Sequence, residues 1–181
     1  LYKTIIMSKL SLTQNQYSDF LNLNNNVFFP LKNFVTQNEF ELIVNESRYK
    51  KKFYPFPIFF GVNKNNFNKI MSTNQIDFYY KNKIIAKVIK PIFFDINKKN
   101  FGRKIYGKNY TSHPYFKKFE TENFKFLSFK ILKLYKFKID KTIFVSPKDF
   151  LNSINRNKIK KISSFHTRNV PHKAHQWIHN F

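Results

Sequence analysis

Phenylalanine is the residue that most constrains this chain, because 24 of its 181 residues are Phe and aromatic residues together make up 19% of the sequence. Hydrophobic residues reach 42%, which is ample material for a packed core, so a folded protein is expected and not a disordered one. Cysteine is missing from the sequence, which excludes disulfides and thiolate metal sites. The length fits one domain, or one complete domain and the start of a second.

The apolar residues are not gathered into a membrane segment. No run approaches the roughly 18 uninterrupted apolar residues that a membrane span requires. The first residues, LYKTIIMSKLSLTQ, contain neither a signal-peptide core nor a small-residue cleavage site. The sequence therefore predicts a soluble, cytoplasmic protein without a membrane partner.

The formal net charge of +23 suggests a nucleic-acid partner, since basic surfaces attract phosphate backbones. Two observations argue against it. Only four of the 33 basic residues are Arg, and Lys, Asn, Ile and Phe are all frequent, as A/T-rich codons alone would make them. Lysines are also spread along the chain and do not form one block. We therefore expect a solvated lysine surface and consider a nucleic-acid partner unlikely.

The first part of the chain begins with helix and turn signals. Residues 11–23 place apolar side chains near helical spacing and offer Ser11 or Thr13 as an N-cap, so a short helix is expected. Residues 40–44 form a short apolar run. Between them, residues 24–34 predict a turn into an apolar stretch whose large side chains need cover, namely Phe28, Phe29, Leu31 and Phe34.

Strand signals follow. Residues 54–62 predict an edge strand, because Pro55 and Pro57 alternate and their missing N–H groups can point away from a neighbour. Residues 75–80 and 83–94 predict a β-hairpin with a two-residue turn.

Helical and β-rich segments alternate over the remainder of this part. Residues 97–107 and the stretch from His113 predict two short helices around a loop, and residues 124–136 predict another strand. Residues 1–144 are therefore expected to form one strand-rich α+β domain.

The pattern changes near Val145. A helix is expected over 147–156, because Ser146 can cap it and a proline occupies its first position. A short strand over 158–165, a loop, and a helix from about Pro171 follow. This order is typical of the start of an α/β, Rossmann-like nucleotide-binding fold, so residues 145–181 are predicted to begin a second domain.

The corner between that strand and the last helix is the best candidate site. A helix N-terminus presents free N–H groups to an anion, and the residues clustered there, Arg168, Asn169, His172 and His175, can all donate to anionic oxygens. The two histidines are three residues apart and share a helix face. Arg168 suits bidentate binding of a tetrahedral oxyanion. Zinc binding by His172, His175 and His179 is the weaker interpretation, because no further ligand lies nearby in the sequence, and no metal site is predicted.

The string HTRNVPHKAH, residues 166–175, resembles the ATP sulfurylase motif Gln-Thr-Arg-Asn-Pro-x-His-x-x-His, which contains the HxxH of the nucleotidyltransferase superfamily. Three earlier segments resemble further elements of that family in the same order. FFPLKNF (28–34) is similar to its Phe-Ser-Pro-Leu-x-x-Phe element, YPFPIFF (54–60) to its Pro-x-Pro strand, and SHPYFKKF (112–119) to its Glu-His-Pro-Gly-Val stretch. The resemblance covers nearly the whole chain.

The resemblance implies a PUA-like domain over residues 1–144 and the start of an adenylyltransferase domain over 145–181. It implies transfer of the adenylyl group of ATP, accompanied by Mg²⁺, to sulfate, with pyrophosphate as the second product. By position, His166 and Arg168 would bind sulfate, while His166, Asn169, His172 and His175 would bind ATP. The catalytic set would be Thr167, Arg168, Asn169, His172 and His175.

The chain is expected to be an N-terminal fragment, because it starts with Leu1 and ends at Phe181, before the family's later glycine-rich motifs. Such a fragment would be inactive alone, and the full-length protein is expected to form a homo-oligomer.

Two positions of the motif 166–175 depart from the family pattern, and Leu127, Ser128 and Phe129 replace the glycines common in the family's Gly-Gly-Lys stretch. Two alternatives stay open. His166 stands where the family has Gln, and proline lies at 171, one place later than usual. His166 prompts the first alternative, a related nucleotidyltransferase with another acceptor. The second is an RNA-binding PUA-like module that uses the alternating basic and aromatic residues 124–138 as a platform, although a buried strand with lysines on its wet face explains them as well.

Overall fold

A computed structural model describes residues 6–135 and 145–162, together with Lys173 and Trp177. The chain divides into two compact units, residues 1–148 and 149–181. Among the described residues, no helix is both long enough and apolar enough to cross a membrane.

A mixed five-stranded sheet organises the first unit. Its strands follow the order β1-β5-β6-β7-β4; β1 runs parallel to β5 and the other neighbours are antiparallel. These strands are β1 (Met7–Ser11), β4 (Phe60–Val62), β5 (Gln75–Tyr80), β6 (Lys83–Phe94) and β7 (Lys125–Leu134), and a separate two-stranded ribbon is formed by β2 (Arg48–Tyr49) and β3 (Lys52–Phe53).

Short helices surround the sheet and connect its strands. They are α1 (Gln14–Asn24), α2 (Gln37–Glu46), α3 (Lys64–Ile70), α4 (Lys98–Tyr106) and α5 (Pro114–Glu122), with a 3₁₀ turn at Tyr110–Ser112; α6 (Pro147–Arg156) follows later in the chain. The α+β class predicted for the first part is confirmed.

Capping residues fix where the first helices begin. Thr13 caps α1: its Oγ1 accepts from the Gln16 N–H at 3.2 Å, and Gln16 Oε1 accepts from the Thr13 N–H at 3.0 Å. Thr36 and Glu39 form the same reciprocal pair at the start of α2, which contains the apolar run 40–44. The helix predicted over 11–23 is therefore confirmed, with Thr13 and not Ser11 as its cap.

The hairpin predicted from residues 75–80 and 83–94 is present with those bounds. Lys81 and Asn82 form its turn with φ values of 46° and 61°. Positive φ at both central residues is what a type I′ turn requires, and its twist matches that of the strands. The turn therefore forms here without the Asn-Gly sequence that most often supplies it.

Three expectations are wrong. Within 54–62 only Phe60–Val62 form a strand, at the edge of the sheet; the proline-bearing residues before it make isolated bonds, such as Val35 N to Ile58 O at 3.0 Å. Phe29 is 62% exposed although cover was expected for it. Of the strand predicted over 158–165, the described residues 158–162 are not in a strand, because Lys158 has a φ of 51° and Ile159 N still bonds to Ile154 O in the turn that ends α6. The rest of that predicted strand lies outside the described residues.

Two aromatic clusters build the core of the first unit. The first aromatic cluster comprises Phe20, Phe34, Phe60, Phe78 and Phe129. The second comprises Phe40, Phe59, Phe101, Phe119 and Phe126. Phe60 of the first cluster pairs with Leu127, and Phe126 of the second cluster pairs with Gly61. Because consecutive strand residues point to opposite faces of a sheet, the two clusters cover opposite faces where β4 pairs with β7.

Gly102 lets α4 approach the 3₁₀ turn and α5 closely. A Cβ at this position would lie 2.2 Å from Cδ2 of Tyr110 and 2.7 Å from Cε2 of Phe116. Both rings are buried, so they have little room to move aside. Close packing explains a glycine in the middle of a helix, where it otherwise destabilises.

Candidate functional site

The residues predicted to bind anions lie outside the described part of the chain. This applies to His166, Thr167, Arg168, Asn169, His172 and His175. The two described residues of this region, Lys173 and Trp177, have helical backbone and are exposed, in keeping with the helix expected from about Pro171.

The helix that precedes this region is present with the predicted bounds, Pro147–Arg156. Pro147 and Asp149 occupy its first turn, where a missing N–H and a negative charge are favourable. None of its residues is buried, and Phe150 and Leu151 are 49% and 57% exposed.

The three segments that carried the resemblance in the first part of the chain contact one another. Phe34 of FFPLKNF packs on Phe60 of YPFPIFF with 5.3 Å between ring centroids. Phe59 of the same segment packs on Phe119 of SHPYFKKF at 5.5 Å. These segments therefore build the core and connect its two aromatic clusters.

His113 is the one described histidine, and it packs as part of this framework. Its ring stacks on Tyr106 at 4.3 Å between centroids and 26° between planes. Nδ1 is buried without a hydrogen-bond partner among the described residues. Burial, assisted by the nearby Tyr115, raises the pKa of Tyr106. The stacked rings of Tyr106 and His113 therefore fix the entry to α5 by packing.

Residues 124–138 had two interpretations, an RNA-binding platform and a buried strand with lysines facing solvent, and strand β7 lies within them. Phe126 and Phe129 are 1% and 5% exposed inside the core, whereas Lys130 and Lys133 are exposed. A buried ring cannot stack on a base. In its described part, β7 is a buried strand with lysines on its wet side.

A buried carboxylate lies in the middle of the sheet. Asp77 is 4% exposed and forms an ion pair with Lys87 on the neighbouring strand, with Nζ and Oδ2 3.2 Å apart. The hydrogen bond and the charge of Asp77 raise the pKa of Lys87. The pair neutralises a charge that the sheet could not bury alone.

Asp19 in α1 is a partly buried carboxylate of a different kind. Burial raises its pKa to about 6, and within the described residues it has neither an ion pair nor a hydrogen-bond partner. Its ionised form is therefore poorly accommodated in the folded state at neutral pH.

Replacing Asp19 by Asn is expected to stabilise the protein at pH 7 by about 1–2 kcal/mol, a value reduced for partial solvent access. Because the folded-state pKa lies above the unfolded one, the cost of ionisation is present above about pH 6 and disappears as pH falls below about 4. Urea unfolding of the wild type and of Asp19→Asn at pH 7, 5.5 and 4 measures this cost as the difference in the free energy of unfolding. The exposed Glu120→Gln is the control; a gain from Asp19→Asn that does not shrink towards pH 4 would contradict the assignment.

The sequence analysis missed one pocket, which lies between the start of α1 and the turn of the β5–β6 hairpin. It is an open depression of about 350 Å³, and the described residues that line it are Gln14, Tyr17, Tyr80, Lys81, Lys83 and Ile85. Tyr80, Lys81 and Lys83 belong to the hairpin, whereas Gln14 and Tyr17 come from a distant part of the chain, so no local sequence signal marks the pocket. No group of three His, Asp or Glu side chains in the described ranges is arranged to hold a metal ion.

Comparison with known proteins identifies the first unit. The profile of the family described as PUA-like domain matches residues 2–130, and the chain belongs to this family. The matched region contains the five-stranded sheet up to Lys130 of β7 and helices α1–α5.

The chain is also similar to a protein named sulfate adenylyltransferase from Persephonella marina (strain DSM 14350 / EX-H1). The two sequences are 25% identical over an aligned length of 182 residues, and the alignment covers 97% of this chain and 47% of that protein. The resemblance to the ATP sulfurylase family is thus confirmed, and the chain spans about half the length of the relative it matches.

Proposed function

We propose that this chain is the amino-terminal part of a sulfate adenylyltransferase, with a PUA-like domain over residues 1–144 and the opening of a Rossmann-like catalytic domain over 145–181. The observation that carries the proposal is the similarity over 97% of the chain to a protein named for this activity. The motif HTRNVPHKAH lies inside that stretch and supplies the residue types that the reaction needs.

In the proposed reaction a sulfate oxygen attacks the α-phosphorus of ATP, and the bond from that phosphorus to the bridging oxygen of pyrophosphate breaks. Arg168 holds sulfate through its planar fork, with His166 as a second donor. His172 and His175 on one helix face, together with Asn169, stabilise the charge on the ATP phosphates, and Thr167 donates to a phosphate or sulfate oxygen. The rate acceleration comes from positioning of the two substrates and from electrostatic stabilisation of the transition state. Mg²⁺ enters the site with ATP.

The test is an assay of the whole protein that contains this chain, with ATP and Mg²⁺ and with either sulfate or molybdate as the acceptor. Pyrophosphate release that requires one of these tetrahedral anions is expected. No release with either anion would reject the proposal. Release with other acceptors only would favour a related adenylyltransferase, the alternative that His166 suggests, since an imidazole differs from the usual carboxamide in shape and in its response to pH.

A further inference from the structure

We propose that the two-stranded ribbon over residues 48–53, which we call the basic ribbon, docks on a lipid surface that contains anionic headgroups. The basic ribbon belongs to the first unit and is separate from the five-stranded sheet. It uses none of residues 166–175, so the inference goes beyond the proposed adenylyl transfer. The prediction of no membrane partner rests on the lack of a continuous apolar segment, whereas contact with a membrane surface needs only exposed side chains.

The strand pairing of the basic ribbon directs one of its faces away from the protein. Arg48 pairs with Phe53 and Tyr49 pairs with Lys52, and paired residues share a face. Tyr49 is 7% exposed, and its hydroxyl donates to Oε1 of Glu39 in α2 at 3.1 Å, so the Tyr49 face packs on the protein. Arg48 and Phe53 therefore share the outward face, and Phe53 is 77% exposed.

A second exposed phenylalanine adjoins the basic ribbon. Phe29 is 62% exposed, and Lys52 Nζ lies 5.3 Å from the centroid of its ring. The Tyr54 hydroxyl donates to the carbonyl of Phe28 at 3.0 Å, so the segment that carries Phe29 is tied to the end of the ribbon. Large apolar side chains that stay exposed on ordered elements mark interaction surfaces, and these two rings need little further ordering to bind.

The same short stretch is strongly basic. Residues 46–53 contain four cations, Arg48 and the three lysines at 50–52, and one acid, Glu46. All four cations are exposed. Lys50 and Lys51 form the turn between the two strands with φ values of 48° and 63°, as a tight type I′ turn requires, and so present their charges at the tip of the ribbon.

The combination of charge, exposed rings and a tight turn favours a lipid surface over other anionic partners. Lysines near a membrane are attracted to anionic headgroups, and exposed phenylalanine rings can enter the boundary between headgroups and acyl chains. A peptide binds in a groove or along a sheet edge, whereas a deformable lipid surface can receive the tip of a ribbon. A free phosphate or a soluble polyanion would contact the lysines and leave Phe53 in water.

The first test is co-sedimentation of the full chain with phosphatidylcholine vesicles that contain about one third phosphatidylserine, at physiological ionic strength. Binding is expected with half-saturation between about 10 μM and 1 mM accessible lipid, and vesicles of pure phosphatidylcholine should bind far less. No binding to the anionic vesicles, or equal binding to both kinds of vesicle, would overturn the proposal.

Matched variants separate the basic ribbon from the general attraction of a chain with a net charge of +23. Lys50→Gln/Lys51→Gln is expected to weaken vesicle binding about 10- to 30-fold, since two charges at the membrane surface are lost. The control, Lys81→Gln/Lys83→Gln, removes two exposed lysines at the turn of the β5–β6 hairpin, where Lys81 also has a positive φ, and should weaken binding much less. Circular dichroism checks that both fold. Equal affinity of the two double variants would overturn the proposal.

The exposed ring on the outward face is tested separately from the charge. Phe53→Ala is expected to weaken vesicle binding about tenfold, because an apolar side chain no longer leaves water on docking. Tyr115→Ala, which removes another aromatic side chain that is 71% exposed, is the control and should bind as the wild type does. A loss in Tyr115→Ala as large as that in Phe53→Ala would contradict the proposal.

Fluorescence distinguishes a lipid surface from an acidic protein segment. Trp177 is the single tryptophan of the chain, so Phe53→Trp/Trp177→Phe places the only indole on the basic ribbon. Its emission is expected to shift to shorter wavelength with anionic vesicles and to stay unchanged with a glutamate decapeptide, which offers charge without an apolar phase. Unshifted emission on vesicles would overturn the proposal, and an equal shift with the decapeptide would assign the ribbon to an acidic protein segment instead.

Discussion

Replacing Phe60 by Ala is expected to lower the free energy of unfolding by roughly 3–5 kcal/mol, which is a large share of the stability of an ordinary domain. Phe60 is fully buried on the edge strand β4. Its ring centroid lies between 5.0 and 6.1 Å from those of four other phenylalanines, Phe20, Phe34, Phe78 and Phe129. Truncation removes the shared neighbour of α1, β5 and β7 and leaves a cavity that these rigid rings fill poorly.

The measurement is urea unfolding of the full chain, followed by circular dichroism. Phe53→Ala is the matched control, because the same chemical change is made at a side chain that is 77% exposed. Its midpoint should stay close to that of the wild type. A Phe60→Ala midpoint equal to that of Phe53→Ala would show that the first aromatic cluster contributes little to stability.

Local signals explain why much of the fold could be predicted. Thr13 and Gln16 form a capping box within four residues, and Pro147 and Asp149 mark the start of α6 in the same local way. The hairpin could be predicted because a β-rich run is interrupted by two polar residues only. Each of these elements is decided by residues close in sequence, so no knowledge of the tertiary structure was needed.

The sequence-based predictions fail where contacts between distant parts of the chain determine the local structure. Residues 54–59 have β-favouring side chains, yet Val35 N reaches the Ile58 carbonyl from another part of the chain and only Phe60–Val62 join the sheet. The parallel pairing of β1 with β5 joins residues more than 60 positions apart, and nothing in residues 7–11 signals it. Phe29 is as apolar as Phe34, but only Phe34 lies within reach of the first aromatic cluster.

The pocket and the proposed catalytic segment differ in how they could be found. Residues 166–175 form a short string whose pattern carries the chemistry, so a resemblance is enough to suggest their roles. Tyr17 and Tyr80 are 63 residues apart and meet only because α1 packs beside the β5–β6 hairpin. A pair of tyrosines at that separation has no meaning in the sequence, which is why the pocket required the structure.

Replacing Arg168 by Ala is expected to reduce sulfate-dependent pyrophosphate release by the whole protein about 100- to 1,000-fold, the loss typical of a donor that stabilises charge in the transition state. The chain has only four arginines, and Arg168 is the one placed beside the HxxH pair. Lysine at this position keeps the charge but not the planar fork, so Arg168→Lys should recover only part of the rate.

The matched control is Arg156→Ala, which removes an exposed arginine from the last turn of α6. It should retain the wild-type rate. The proposed role also predicts how the kinetic parameters divide: kcat/KM for sulfate should fall steeply in Arg168→Ala, while KM for ATP changes less, because the ATP phosphates are assigned to His166, Asn169, His172 and His175. An equal loss in Arg156→Ala, or a loss confined to KM for ATP, would contradict the assignment of sulfate to Arg168.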